Sequence, residues 1–347
     1  MKLLARAESG ASASQKPLSD PPAARLRDAF RDSPTLPLGV ALAVLFVGFG
    51  IAEPEAFLSS FNIKSLLTDA SVLLLLAVGM TYVITTAGID LSVGAVLVFS
   101  GVVSSEVMTS LGGEGWGTVF VGLLVAIAAG LAWGLVNGLL VARLRIPPLI
   151  ATLGTLGTSY GLAKVITNGT DVRGAPQELV KTLGLGSLFG VVPWLVVIAA
   201  VITGVAAIWL AQTRFGRYTV AIGANPEAVR RVGVRVDLHL IKVYALCGLL
   251  AGLAGYLSLA RFATTTIAGH SSDNLAVVTA VVLGGTSLFG GIGTVIGSLI
   301  GVFIPVVLQN GFVILGIQPF WQEVATGVVL VVAIYADQLR RSSREQR

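Results

Sequence analysis

The chain has 347 residues, of which 54% are hydrophobic and 12% charged, whereas soluble domains carry about 25% charged residues. With a mean hydropathy of +0.87, this composition excludes a soluble globular enzyme and predicts an all-helical, polytopic membrane protein. The net charge of +5 is informative through its distribution along the chain, and no nucleic-acid partner is expected.

Residues 1–34 are rich in Ala, Ser, Pro, Arg and Asp and lack an apolar stretch long enough for a signal-peptide core. They are expected to form a disordered cytoplasmic tail. A bilayer-crossing helix needs about 20 mostly apolar residues. Ten runs meet or approach that length: 36–52, 66–87, 92–108, 116–142, 149–167, 192–211, 241–260, 274–289, 293–315 and 320–337. The third and eighth are short and flanked by glycine. A transmembrane domain is thus expected over 35–340, interrupted by a charged loop at 212–242 and followed by a short cytoplasmic tail at 341–347. An internal N-terminus places all but five of the 23 Lys and Arg residues on the cytoplasmic side. The five are Lys64, Lys164, Arg173, Lys181 and Arg261. This is the bias of the positive-inside rule, and both termini are expected in the cytoplasm. Trp116, Trp194 and Trp321 then fall near outer span ends, where aromatic belts form.

The charged loop has internal punctuation. Asn225 suits a helix cap, Pro226 its first position, and Glu227 its positive end. Gly233 sits where a left-handed stop belongs. About two turns are specified, with Ala228, Val229 and Val232 along one side and Arg230 and Arg231 available to a polar partner. A capped helix between spans predicts a docking element for a partner outside the bilayer. The competing reading is a helix held at the membrane surface by basic residues.

The sequence also repeats. Thr109–Gly113, Gly117-Thr118-Val119 and Asn137-Gly138 recur in order as Thr286–Gly291, Gly293-Thr294-Val295 and Asn310-Gly311. In the expected topology the two copies start on opposite sides. Spans two to five then mirror spans seven to ten, an inverted repeat. Glycines spaced by four (Gly130, Gly134, Gly138; Gly248, Gly252; Gly293, Gly297, Gly301) predict close helix packing.

No catalytic set is visible, and no Gly-x-x-x-x-Gly-Lys-Ser/Thr phosphate loop occurs, so the chain is not expected to be an enzyme. Cys247 lies in an apolar run, and His239 and His270, read as loop histidines, lack ligand spacing; no metal or cofactor is expected.

Three segments resemble permeases of sugar-importing ABC transporters, in the ribose, xylose and galactoside branch. They are Thr85-Thr86-Ala87-Gly88-Ile89-Asp90-Leu91-Ser92-Val93-Gly94, Gly223 through Gly233, and Val282 through Gly293, within a resemblance covering roughly 36–337. The resemblance implies a permease pair in the bacterial cytoplasmic membrane, a homodimer being expected, with two ATPase subunits and an extracytoplasmic substrate-binding protein. It makes Asn225–Gly233 the coupling helix that enters the ATPase, with Glu227 and Ala228 in its acidic-small signature and Gly223 just ahead of it. Five residues are candidates for the translocation path or its gate: Asp90, Ser92, Asn137, Thr286 and Asn310. Asp90 either caps the third span or lines the path. Asn137 and Asn310 either bond between helices or face a polar passage. Segments 169–188 and 262–274 are the expected outward docking surfaces. The rival functions are a nucleoside or branched-chain amino-acid ABC permease, and an ion-coupled secondary transporter. Few buried ionisable residues are available for an ion relay.

Overall fold

The computed structural model describes residues 35–270, 273–318 and 320–345, so the N-terminal tail lies outside the described residues. The chain folds as helices: α1 (Thr35–Ala52), α2 (Pro54–Phe57), α3 (Ser60–Thr85), α4 (Val93–Ser110), α5 (Gly115–Ala142) and α6 (Pro148–Thr167). A short α7 (Gln177–Leu179) continues into one wide π turn to Gly184, and β1 (Ser187–Leu188) pairs antiparallel with β2 (Val192–Pro193). Then come α8 (Trp194–Gln212), α9 (Arg214–Ala224), α10 (Pro226–Arg231), α11 (Val236–Phe262), α12 (Asp273–Leu283), α13 (Val295–Ile314) and α14 (Phe320–Glu345).

Each of the ten expected runs coincides with an apolar helix. Seven (α3, α4, α5, α6, α8, α11 and α13) are long and apolar enough to cross a membrane, while the apolar parts of α1, α12 and α14 are shorter. The polytopic, all-helical architecture stands, with two boundaries corrected. The second run, expected from 66, begins at Ser60, because Ser59 Oγ accepts the Asn62 amide proton at 3.1 Å and caps the helix. The eighth, expected to reach 289, ends at Leu283, because Gly285, Gly290 and Gly291 take positive φ and turn the chain. The last helix runs through Glu345, well into the segment read as a tail.

Helix contacts follow the repeat. The quartet α3, α4, α5, α6 corresponds to α11, α12, α13, α14. Within the first, α5 packs on α4 and α6, and α4 on α6; within the second, α13 packs on α12 and α14, and α12 on α14. Between them, α11 packs on α4 and α5, α3 packs on α12 and α13, and α3 packs on α11. The equivalent helices α3 and α11 are antiparallel, since Asp69 early in α3 meets Arg261 late in α11 while Gly79 meets Cys247. Such pairing is what an inverted repeat requires.

Small residues set the packing distance. On α5, Gly130, Gly134 and Gly138 lie against Gly248, Gly252 and Ile241 of α11, and an added methyl group would run into the opposing backbone. Gly297 and Gly301 of α13 approach Gly284 and Ala280 in the same way. Lipid drives no hydrophobic association between helices, so this close dispersion contact is their main attraction. Several polar side chains inside the bundle find partners, as lipid favours. Tyr82 Oη donates to Ala206 O at 2.6 Å, Tyr256 Oη donates to Val119 O at 2.7 Å, and the Thr81 and Ser298 hydroxyls meet at 2.7 Å.

At one end of the bundle, residues 171–173 and 264–267, from the two segments expected to face outward, bond to one another. Thr265 N donates to Val172 O at 3.0 Å, Val172 N to Thr265 Oγ1 at 2.8 Å, and Ile267 N to Asp171 Oδ1 at 2.8 Å. At the other end lie α9 and α10.

Candidate functional site

The α10 end is built from local caps. Asn225 is in extended conformation and its Oδ1 accepts the Ala228 amide proton at 3.0 Å; Pro226 occupies the first helical position. Gly233 closes the unit at φ +86°. The helix sits on a small apolar cluster in which Val229 packs with Ile222 of α9 and Val236 of α11. His239 fastens the same base. It lies within α11 rather than in a loop, its Nε2 within 2.9 Å of Thr219 Oγ1 and its ring 4.5 Å from that of Phe215.

This seating corrects the expected face of the helix. Val229 is turned into the protein, and Arg230 is held from within by Asp237 at 2.7 Å and Glu227 at 3.7 Å. The surface left to a partner includes Glu227, Ala228, Arg230, Arg231 and Val232, the last 77% exposed. Sequence periodicity could not assign Val229, because Ile222 and Val236 belong to neighbouring helices.

The three motif segments meet directly beneath α10. Thr85 O, at the end of α3, accepts from Gly291 N at 2.9 Å. Gly223, at the end of α9, lies so close that a Cβ there would strike Thr85 O and Gly291 N, and one on Gly290 would strike Ala87 and Gly223 O. One junction of bare backbone therefore joins α3, α9 and the α12–α13 loop, two residues before the Asn225 cap. Thr286 lies buried in that loop.

Asp90, Ser92 and Asn137 form a second, buried cluster at the α3–α4 turn. Asp90 Oδ1 accepts from Ser92 N at 2.9 Å and Ser92 Oγ at 2.6 Å. Asn137 Nδ2 donates to Ser92 Oγ at 2.8 Å and lies 3.4 Å from both Asp90 oxygens. Thr155 Oγ1 donates to Asn137 Oδ1 at 2.7 Å, bringing in α6. Asp90 is 1% exposed.

Asn310 lies elsewhere, despite its equivalent place in the repeat. It exchanges two hydrogen bonds with Asn62, at 2.8 and 2.9 Å, on the wall of a cleft of about 990 Å³. That cleft opens at the end opposite α10, and Asp69, Arg261, His270, Gln309 and Asn310 are among its polar lining. Asp69 escaped the sequence reading although a carboxylate inside an apolar run is a recognisable signal. Arg261 was legible only as an outer charge.

The family described as "Branched-chain amino acid transport system / permease component" matches residues 62–334. The chain belongs to this permease family. Over 305 residues the permease is 38% identical to the ribose import permease protein of Escherichia coli (strain K12), covering 86% of this chain and 92% of the relative. It is 32% identical to the fructose import permease protein of Rhizobium meliloti over 320 residues, or 90% and 88% of the two chains. It is 36% identical to the L-arabinose ABC transporter permease protein of Azospirillum brasilense over 303 residues, or 87% and 86%. No solved structure gives a significant match to the permease.

Proposed function

We propose that this permease is the conducting subunit of an ABC importer for a monosaccharide-like solute, opened by partner subunits that hydrolyse ATP and dock on α10. The observation that carries the reading is the capped, exposed α10 standing on the junction of α3, α9 and the α12–α13 loop. A push on α10 reaches α3 and α12, one element from each half of the repeat, so a local displacement becomes relative motion of the halves. The full-length relatives are named for ribose, fructose and L-arabinose import, which favours a sugar over the amino-acid, nucleoside and ion-coupled rivals. The assembly is taken to comprise two permease copies, two ATPase subunits and an extracytoplasmic substrate-binding protein. It sits in the bacterial cytoplasmic membrane with both termini and loop 212–242 inside.

Within this scheme Gly223, Asn225, Pro226 and Gly233 shape the coupling element, and Glu227, Ala228 and Arg231 meet the ATPase. Arg230 braces the element through Asp237, and Thr286 sits in the loop that receives its motion. Asp90, Ser92 and Asn137 hold the α3–α4 turn beside the path, while Asn310 lines the outer cleft. The test is reconstitution of the permease with its ATPase and candidate binding proteins. Sugar-stimulated ATP hydrolysis together with concentrative sugar uptake is expected, and hydrolysis indifferent to every sugar tried contradicts the reading.

Two further outcomes follow. A cysteine at Ser342 is expected to react with impermeant thiol reagents only from the cytoplasmic side, and labelling of intact cells would overturn the orientation. Asp90→Asn keeps an oxygen for the Ser92 amide and is expected to retain at least half of native uptake. Asp90→Ala strands buried donors at a cost of about 1–3 kcal/mol and is expected to lower the thermal stability of the purified complex. Near-complete loss of uptake in a normally assembled Asp90→Asn variant would assign the carboxylate to the path itself.

A further inference from the structure

In the cleft opposite α10, Arg261 Nε donates to Asp69 Oδ1 at 3.3 Å and its Nη2 to Ser65 Oγ at 2.7 Å. Ser65 Oγ lies 3.5 Å from Asp69 Oδ2. The group joins α3 to the end of α11 and borders the open volume. The Arg261 and Asp69 side chains are 22% and 42% exposed. At that exposure an ion pair holds two helices together weakly, by about 0–1 kcal/mol, yet a carboxylate within a membrane helix is unfavourable. Helix attachment alone is a poor reason for both charges to be there.

The chemistry of the group suits another role. A guanidinium with several donors lies beside a carboxylate that accepts several bonds, with a hydroxyl between them. Adjacent hydroxyls of a ring each donate one bond and accept another, so a vicinal diol can donate to Asp69 and accept from Arg261 in one approach. Gln309 and Asn310 supply further amide groups on the α13 wall. The neighbouring His270 is already engaged, with Asp273 at 2.7 Å and Ser258 at 2.8 Å.

We propose that Ser65, Asp69 and Arg261 form a subsite that takes the vicinal hydroxyls of a cyclic polyol as it passes through the outer cleft. The proposal rests on the monosaccharide reading and adds the residues that touch the sugar. The native ion pair is partly exposed on the cleft wall, so a sugar hydroxyl can reach it and exchange with it. A conducting site must release its cargo as readily as it accepts it.

The test uses the complete transporter in proteoliposomes, with uptake of the transported sugar and of its singly deoxygenated analogues. Asp69→Asn and Arg261→Gln are each expected to lower kcat/KM for the sugar about tenfold or more. They are also expected to erase most of the native preference over one vicinal deoxy analogue, while Asp69→Glu keeps that preference. The exchanged pair, Asp69→Arg with Arg261→Asp, is expected to remain defective. Native uptake in the exchanged pair would show that the charges merely tie α3 to α11 and would overturn the proposal. So would single variants that lose uptake but keep the native preference.

A second measurement does not depend on charge variants folding. Ala276→Cys places a thiol on the α12 wall, and the natural Cys247 is buried. Sugar delivered by the binding protein is expected to slow its modification by an impermeant reagent; labelling indifferent to sugar speaks against the subsite. A native complex that concentrates no monosaccharide defeats the parent reading, whereas native sugar uptake with indifferent variants defeats the subsite alone.

Discussion

Gly223→Val is expected to abolish concentrative uptake while the chain still inserts and purifies. The seat of α10 has no room for a side chain at 223, where the nearest neighbours are the backbone of Thr85 and Gly291 rather than the movable end of a side chain. Accommodating three extra carbons requires α9 to withdraw from α3 and from the α12–α13 loop. Overpacking of this kind costs about 1–3 kcal/mol. The same amount lost from the coupling between two sites corresponds to a factor of about 5–150. The strain falls on the link between α10 and the bundle, leaving the α5–α11 core untouched, so uptake is expected to fall further than yield. The check is initial uptake rate per assembled complex. Native uptake by Gly223→Val would mean that α10 does not transmit through this junction.

Glu227→Lys is expected to have a comparable effect by a different route. The Glu227 side chain is 71% exposed and its contact with Arg230 spans 3.7 Å, so the folded chain loses little, as surface substitutions generally change stability by about 0.5 kcal/mol or less. The reversal instead puts a cation at the positive end of α10 and on the surface proposed to meet the ATPase. Mispairing a buried charge in an interface costs about 2–5 kcal/mol or more, so ATPase co-purification and uptake fall together. Full uptake by this variant would remove α10 from the docking surface.

The sequence was most legible where structure is local. Asn225, Pro226 and Gly233 punctuate α10 through bonds that span three or four residues, and their positions could be read directly. Apolar runs gave the helices for the same reason. The end of α12 escaped because hydropathy continues through Val282-Leu283 into Leu288-Phe289, while the intervening glycines turn the backbone. The direction of Val229 escaped because its neighbours come from α9 and α11. Asn137 and Asn310 hold equivalent places in the repeat but not equivalent surroundings, since the short turn that brings Asp90 and Ser92 to Asn137 is replaced in the second half by the longer connection after Phe262. The outer cleft escaped almost entirely, because Asp69 and Arg261 are brought together only by the antiparallel packing of α3 on α11.

The permease is proposed to be a conduit moved by a motor that grips it at α10. The most direct test is accumulation of sugar in sealed proteoliposomes, comparing the complete complex supplied with ATP and binding protein against the permease alone under an imposed ion gradient. Accumulation is expected in the first and none in the second; concentration of sugar by the lone permease would contradict the account.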